Sequence, residues 1–155
     1  ALIYCKAMKL NFMFYADIYA PAIPLFHAFG RIGCFLGGCC YGIESHFGVV
    51  YNGVERFPVQ IIECVCNLLI VRFLFYLSKK NLKNGTLLAL YLIIYPVIRF
   101  TLEFFRGDEI RGFMLGLSTS QWISIALFIV GIIMMFKLYF KNMHKKDTFH
   151  ENSTI

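Results

Sequence analysis

Gln121-Trp-Ile-Ser-Ile-Ala-Leu-Phe-Ile-Val-Gly-Ile-Ile-Met-Met-Phe-Lys137-Leu-Tyr-Phe140 carries no charge before Lys137. As an α-helix rising 1.5 Å per residue, this run measures about 30 Å, the thickness of a bilayer's hydrocarbon core. Read as a span, it makes the chain a membrane protein, and the composition agrees. Of 155 residues, 59% are hydrophobic and 15% charged, with a mean hydropathy of +0.65. Soluble domains carry about 45–50% apolar and about 25% charged residues. So little charge does not cover a water-facing surface. The composition therefore argues against a soluble enzyme, a disordered chain and a nucleic-acid partner, despite a net charge of +6.

Residues 86–105 and 60–78 are further spans, carrying Arg99 and Glu103, and Glu63, Asn67 and Arg72. Residues 12–29 are apolar but interrupted by Asp17, Pro21 and Pro24. Proline removes a backbone donor and kinks a helix, so this is a broken or short span. The expected fold class is all-α, a polytopic membrane helical bundle with about four spans. Residues 1–140 form its single domain, and 141–155 a polar tail. Residues 43–58, 79–85 and 106–120 are loops. A chain that opens on Ala1 and holds about four spans is expected to be part of a longer protein.

The two kinds of cation separate. All nine lysines fall at Lys6 and Lys9, at Lys79, Lys80 and Lys83, and at Lys137, Lys141, Lys145 and Lys146. With the spans above, these groups share one side of the membrane, the cytoplasmic side by the positive-inside rule. The C-terminus is then cytoplasmic and loops 43–58 and 106–120 face outward. Three arginines sit where a charge is costly: Arg31 in a glycine-rich stretch, Arg99 within a span and Arg106 at a span's outer end. Arg72 also lies within a span, close enough to the inner surface to snorkel.

Four constellations stand out. In His27-Ala-Phe-Gly30-Arg31-Ile-Gly33-Cys34-Phe-Leu-Gly37-Gly38-Cys39-Cys40-Tyr41-Gly42, glycines allow close backbone approach and Arg31 offers a planar donor fork suited to phosphate. Glycines alone favour helix packing; the intramembrane arginine favours a site. In Arg99-Phe-Thr-Leu-Glu103-Phe-Phe-Arg106, spacings of four and three place the charges on one helix face, with Glu103 between two arginines. In Pro58-Val-Gln60-Ile-Ile-Glu63, the amide and carboxylate are one turn apart, as a helix cap or as part of a site. In Gly116-Leu-Ser118-Thr-Ser120-Gln121-Trp-Ile-Ser124, Ser118 or Ser120 caps the last helix. Three of the four lie toward the outer half of the membrane and together suit a phospholipid headgroup.

Cys34, Cys39 and Cys40 do not follow a common zinc spacing, and packing is their leading reading. Outer-face disulfide chemistry and a thiol or metal site of Cys34, Cys39 and Cys40, with His27 or His46 nearby, stay open. No metal and no cofactor are expected.

Gly30-Arg31-Ile-Gly33-x-Phe35-x-x-Gly38-x-x-x-Gly42 resembles the signature of the bacterial prolipoprotein diacylglyceryl transferase family. Pro58-x-Gln60-x-x-Glu63, Arg99-Phe-x-x-Glu103-x-Phe-Arg106 and Gly116-x-Ser118-x-x-Gln121-x-x-Ser124 resemble its later motifs, in the family's order. Cys34 stands where the signature has Asn, and Cys39 where it has an acidic residue. The resemblance implies a multi-pass enzyme of the bacterial inner membrane. It would move diacylglycerol from phosphatidylglycerol to the lipobox cysteine thiol of a prolipoprotein signal peptide. It further implies that Arg31, Gly30, Gly33, Gly38, Gly42, Gln60 and Glu63 bind substrate, and that Arg99, Glu103 and Arg106 are catalytic. The alternative reading is a non-catalytic phospholipid-binding relative.

Overall fold

The computed structural model describes residue 5 and residues 7–51, 53–107, 113–114 and 116–151, with side chains described through residue 140 except at 113 and 114. The order of elements is α1 (Phe12–Tyr19), α2 (Ala22–Leu36), β1 (Glu44–Tyr51), β2 (Val54–Arg56), α3 (Val59–Ser78), α4 (Thr86–Glu103), β3 (Phe113–Met114), β4 (Leu117–Ser118) and α5 (Thr119–Glu151). Three helices are long and apolar enough to cross a membrane, namely α3, α4 and the Thr119–Phe140 part of α5. Their outward faces carry large apolar side chains, among them Leu69, Phe75, Ile129, Ile133 and Phe136. In water those faces would be a liability; in hydrocarbon they are ordinary. This is a multi-pass membrane protein.

Residues 12–29, expected as one broken span, fold as two shorter helices. The break falls at Ala20 and Pro21, immediately before α2. Pro24 then sits in the first turn of α2, where its missing N–H costs nothing. Asp17 has a task that the span pattern did not show. From α1 its carboxylate accepts from Gly85 N (2.7 Å) and Leu88 N (2.9 Å), capping α4 from a different helix. Beside this cap lies the apolar core of Ala20, Ile70, Leu74, Leu87 and Tyr91.

Helix α3 packs between α2 and α4, and α4 packs along α5. Ser118 and Gln121 start α5 with a reciprocal cap. The Gln121 amide oxygen accepts from Ser118 N (2.9 Å), and the Ser118 hydroxyl accepts from Gln121 N (3.2 Å). That selects Ser118 over Ser120. Helix α5 then runs on past Phe140 to Glu151, through residues expected as a separate tail; residues 152–155 lie outside the described ones.

The all-α expectation needs one addition. Residues 43–58, expected as a loop, hold an antiparallel hairpin in which Val50 faces Glu55 and Tyr51 faces Val54. In the sequence, Asn52-Gly53 stands between Tyr51 and Val54, the dipeptide that two-residue hairpin loops favour. A second, two-residue ladder pairs Phe113 with Ser118 and Met114 with Leu117. Both hairpins stand at the same end of the bundle, beyond the start of α3 and the end of α4. The Lys79–Lys83 turn lies at the other end, about 30 Å away along α3.

Candidate functional site

Three helices deliver charge to one layer. Arg31 is in the last turns of α2, Glu63 in the first turns of α3, and Arg99 and Glu103 in the last turns of α4. Arg31 Nη2 lies 3.0 Å from Glu63 Oε1, and Arg99 Nε lies 3.9 Å from the same oxygen. Arg99 Nη1 in turn lies 2.8 Å from Glu103 Oε2, and Arg106 Nη1 3.7 Å from it. The result is a chain of alternating charge, Arg31–Glu63–Arg99–Glu103–Arg106. Glu63 is 1% exposed, Glu103 6% and Arg99 9%. Among the described residues, this chain sets three guanidinium groups against two carboxylates. Burial makes each pair depend on its neighbours, because an ion left alone there pays its full desolvation.

The layer has a floor and a rim. Tyr91, Tyr95, Arg99 and Glu103 follow one another at spacings of four along one face of α4. Tyr91 and Tyr95 stack at 5.4 Å, and His27, one turn before Arg31, lies 4.8 Å from the Tyr95 ring and 3.4 Å from the Tyr91 hydroxyl. This aromatic set closes the layer on the side of the membrane interior. Asn67, below Glu63, donates to the Glu63 backbone carbonyl at 2.8 Å and is buried.

The rim is built from the loop after α2. The Gln60 amide donates to the Cys39 carbonyl at 2.9 Å, tying that loop to α3. Gly42 forms an antiparallel bridge with Arg106, which draws the arginine at the end of α4 toward the loop. The approach is close enough that a Cβ on Gly42 would run into the Phe57 carbonyl and lie 3.0 Å from the Phe105 carbonyl. Only glycine fits there. Arg56, on β2, donates to the Gly42 carbonyl at 3.4 Å and stacks over the Tyr41 ring at 4.3 Å.

Of the residues singled out in the sequence, Arg31, Gln60, Glu63, Arg99, Glu103, Arg106 and Gly42 come together. Glu63 is the joint between the first and second constellations, and its pairing with Arg31 is a charge role rather than a helix cap. Gly38 serves the turn after α2, with φ +64°. Gly30 and Gly33 meet nothing within 4 Å of an added Cβ, so among the described residues they support no close approach. Arg72 lies apart, on the exposed side of α3 near Lys79. Arg56 and Tyr41 were not anticipated. Arg56 lies in the stretch expected as a loop, where only the hairpin signal at Asn52-Gly53 could have placed it.

Cys34, Cys39 and Cys40 also meet here. Their sulfurs all lie within 4.8 Å of one another, beside the rim. The Cys39 thiol is pushed up, first by its hydrogen bond with Cys34 and then by what burial it has. Burial raises Cys40 too, but Arg106, the hydrogen bond from Cys39 and Arg31 together hold it below the usual thiol value. Packing alone does not describe these side chains, since Cys39 is exposed.

Comparison with known proteins agrees with the motif order. Residues 1–137 match the prolipoprotein diacylglyceryl transferase family. A phosphatidylglycerol–prolipoprotein diacylglyceryl transferase of Clostridium tetani is 40% identical over 139 residues, covering 84% of this chain and 55% of the relative. One from Clostridium perfringens is 40% identical over 135 residues, covering 81% and 52%. One from Campylobacter lari is 37% identical over 147 residues, covering 92% and 54%. The chain spans about half the length of these curated relatives, and within that half the charged layer, its glycine-bridged rim and the family match coincide: the chain belongs to the prolipoprotein diacylglyceryl transferase family.

Proposed function

We propose that this chain carries the anion-handling half of an enzyme that transfers diacylglycerol from phosphatidylglycerol to the cysteine thiol of a prolipoprotein signal peptide. The observation that carries the reading is the buried chain Arg31–Glu63–Arg99–Glu103–Arg106, which brings three guanidinium groups into one layer. A phospholipid phosphate is the anion present at that depth. Arg31 engages Glu63 through one Nη, and a guanidinium has five N–H donors, so it can hold a carboxylate and a phosphate together.

In the reaction the peptide thiolate attacks the glyceryl carbon that bears the phosphate. The S–C bond forms, the C–O bond breaks, and glycerol phosphate departs with the electron pair. Charge grows on the departing phosphate, and preorganised donors facing it lower the barrier. In this reading Arg99 and Arg106 supply these donors. Glu103, between them, orients both. Gln60 and Gly42 hold the rim against α3 and α4, while Gly30, Gly33 and Gly38 belong to the segment that would face substrate. A mostly apolar groove between α4 and α5, lined by Pro96, Val97, Phe100, Ile125 and Phe128 with Thr101 and Ser124, offers a path for an acyl chain.

Residues 1–140 would form the membrane unit, in the bacterial inner membrane, with the hairpin end outside and 141–155 a cytoplasmic tail. The lysine distribution supports that orientation. The test is lipidation in cells depleted of their own transferase: the full-length protein restores it, and its well-expressed failure to do so refutes the reading. The non-catalytic alternative predicts phosphatidylglycerol bound without release of glycerol phosphate.

A further inference from the structure

We propose that Cys34, Cys39 and Cys40 form a binding site for a thiophilic d10 metal ion, Zn²⁺ or Cu(I), independent of the transfer reaction. The backbone assembles the three thiols. Helix α2 ends in a Schellman turn: Cys39 N donates to the Cys34 carbonyl (3.1 Å), Gly38 N to the Phe35 carbonyl (3.2 Å), and Gly38 takes φ +64°. In that turn the residue after the left-handed position folds back over the residue five earlier. Here those two are both cysteines, and the Cys39 thiol lies 3.6 Å from the Cys34 carbonyl.

Cys40 completes the set by an unusual backbone. It takes φ +58°, a left-handed conformation that a residue with a Cβ adopts only under constraint. With that turn its sulfur joins the other two, and all three lie within 4.8 Å of one another. Sulfurs on one ion with bonds of about 2.3 Å stand about 3.8 Å apart, so side-chain rotation alone closes the site. Soft thiolate donors select Zn²⁺ and Cu(I) over hard cations. The linear spacing C-x₄-C-C hides this, because the turn, not the count of residues, sets the geometry.

The bound ion would lock residues 37–42 onto α2. That segment holds the Cys39 carbonyl used by Gln60 and the Gly42 bridge to Arg106. The ion is thus a brace for the rim and takes no part in bond making.

The experiment uses the full-length protein, purified reduced and anaerobically in detergent. It is equilibrated with Zn²⁺ or Cu(I), desalted and analysed for metal. One ion per chain is expected, lost in Cys34→Ser and Cys40→Ser and kept in Cys66→Ser. In the unsubstituted protein, Zn²⁺ should also slow alkylation of Cys34, Cys39 and Cys40 about tenfold while leaving Cys66 unaffected. Uptake that is absent, or that survives the Cys34→Ser and Cys40→Ser substitutions, overturns the proposal. So does a disulfide among the three thiols in protein trapped from cells.

Discussion

Glu63 Oε1 lies 3.0 Å from Arg31 and 3.9 Å from Arg99, so one buried oxygen joins helix α2 to helix α4 through α3. Removing that carboxylate takes away the partner that Arg31 meets at 3.0 Å and leaves its guanidinium facing that of Arg99, which keeps Glu103. Glu63→Ala should therefore lower stability by about 3–5 kcal/mol, the cost of orphaning a buried charge. Thermal unfolding in detergent measures it. The double variant Arg31→Met/Glu63→Leu should recover most of the loss, because an apolar pair of similar size carries no unpaired ion. Equal destabilisation by the single and double variants would show that Glu63 acts by shape and not by charge.

Gly42→Ala should disturb the rim by contact. Its Cβ meets the carbonyls of Phe57 and Phe105, both backbone and neither able to swing away. Overpacking of this kind costs about 1–3 kcal/mol. Since Gly42 is bridged to Arg106, the transfer rate should fall by more than the stability loss explains. Comparing kcat at a temperature where both proteins are folded separates the two effects.

Asp17→Ala removes two acceptors from the start of α4 and should cost about 0.5–2 kcal/mol, with Asp17→Asn costing less. Neither should alter the affinity for phosphatidylglycerol, because Asp17 and the charged layer sit at opposite ends of α4. Unfolding temperature and lipid binding, measured on the same samples, test both halves.

The orientation has its own check. Phe47 is 83% exposed on the hairpin, and Leu82 is exposed in the turn at the opposite end. In a background without other cysteines, Phe47→Cys should react with a membrane-impermeant maleimide in intact spheroplasts. Leu82→Cys should react only after permeabilisation. The reverse pattern would invert the topology drawn from the lysines.

These residues also show what a linear sequence displays. Arg99, Glu103 and Arg106 were legible as a face because helical spacing is local. Three long spans were legible because apolar length is additive. The Arg31–Glu63 pair was not, since it joins residues on two helices whose rotation depends on packing. Asp17 read as a flaw in a span because its partners, Gly85 and Leu88, lie on another helix. The cysteines read as packing because their spacing conceals a chain reversal at Gly38. The Glu44–Arg56 hairpin went unread because its strands are short and its alternation weak, which left Asn52-Gly53 as the one local sign.

The arginines of this layer are proposed to stabilise the phosphate as it leaves phosphatidylglycerol. The decisive measurement is the initial rate at which purified full-length protein transfers labelled diacylglycerol from phosphatidylglycerol to a lipobox peptide, with and without Arg99→Ala. The parent should transfer measurably, and Arg99→Ala should lose about 10²–10³-fold in kcat, the effect of deleting a donor that meets developing charge. A folded Arg99→Ala protein that transfers at the parent's rate would contradict it.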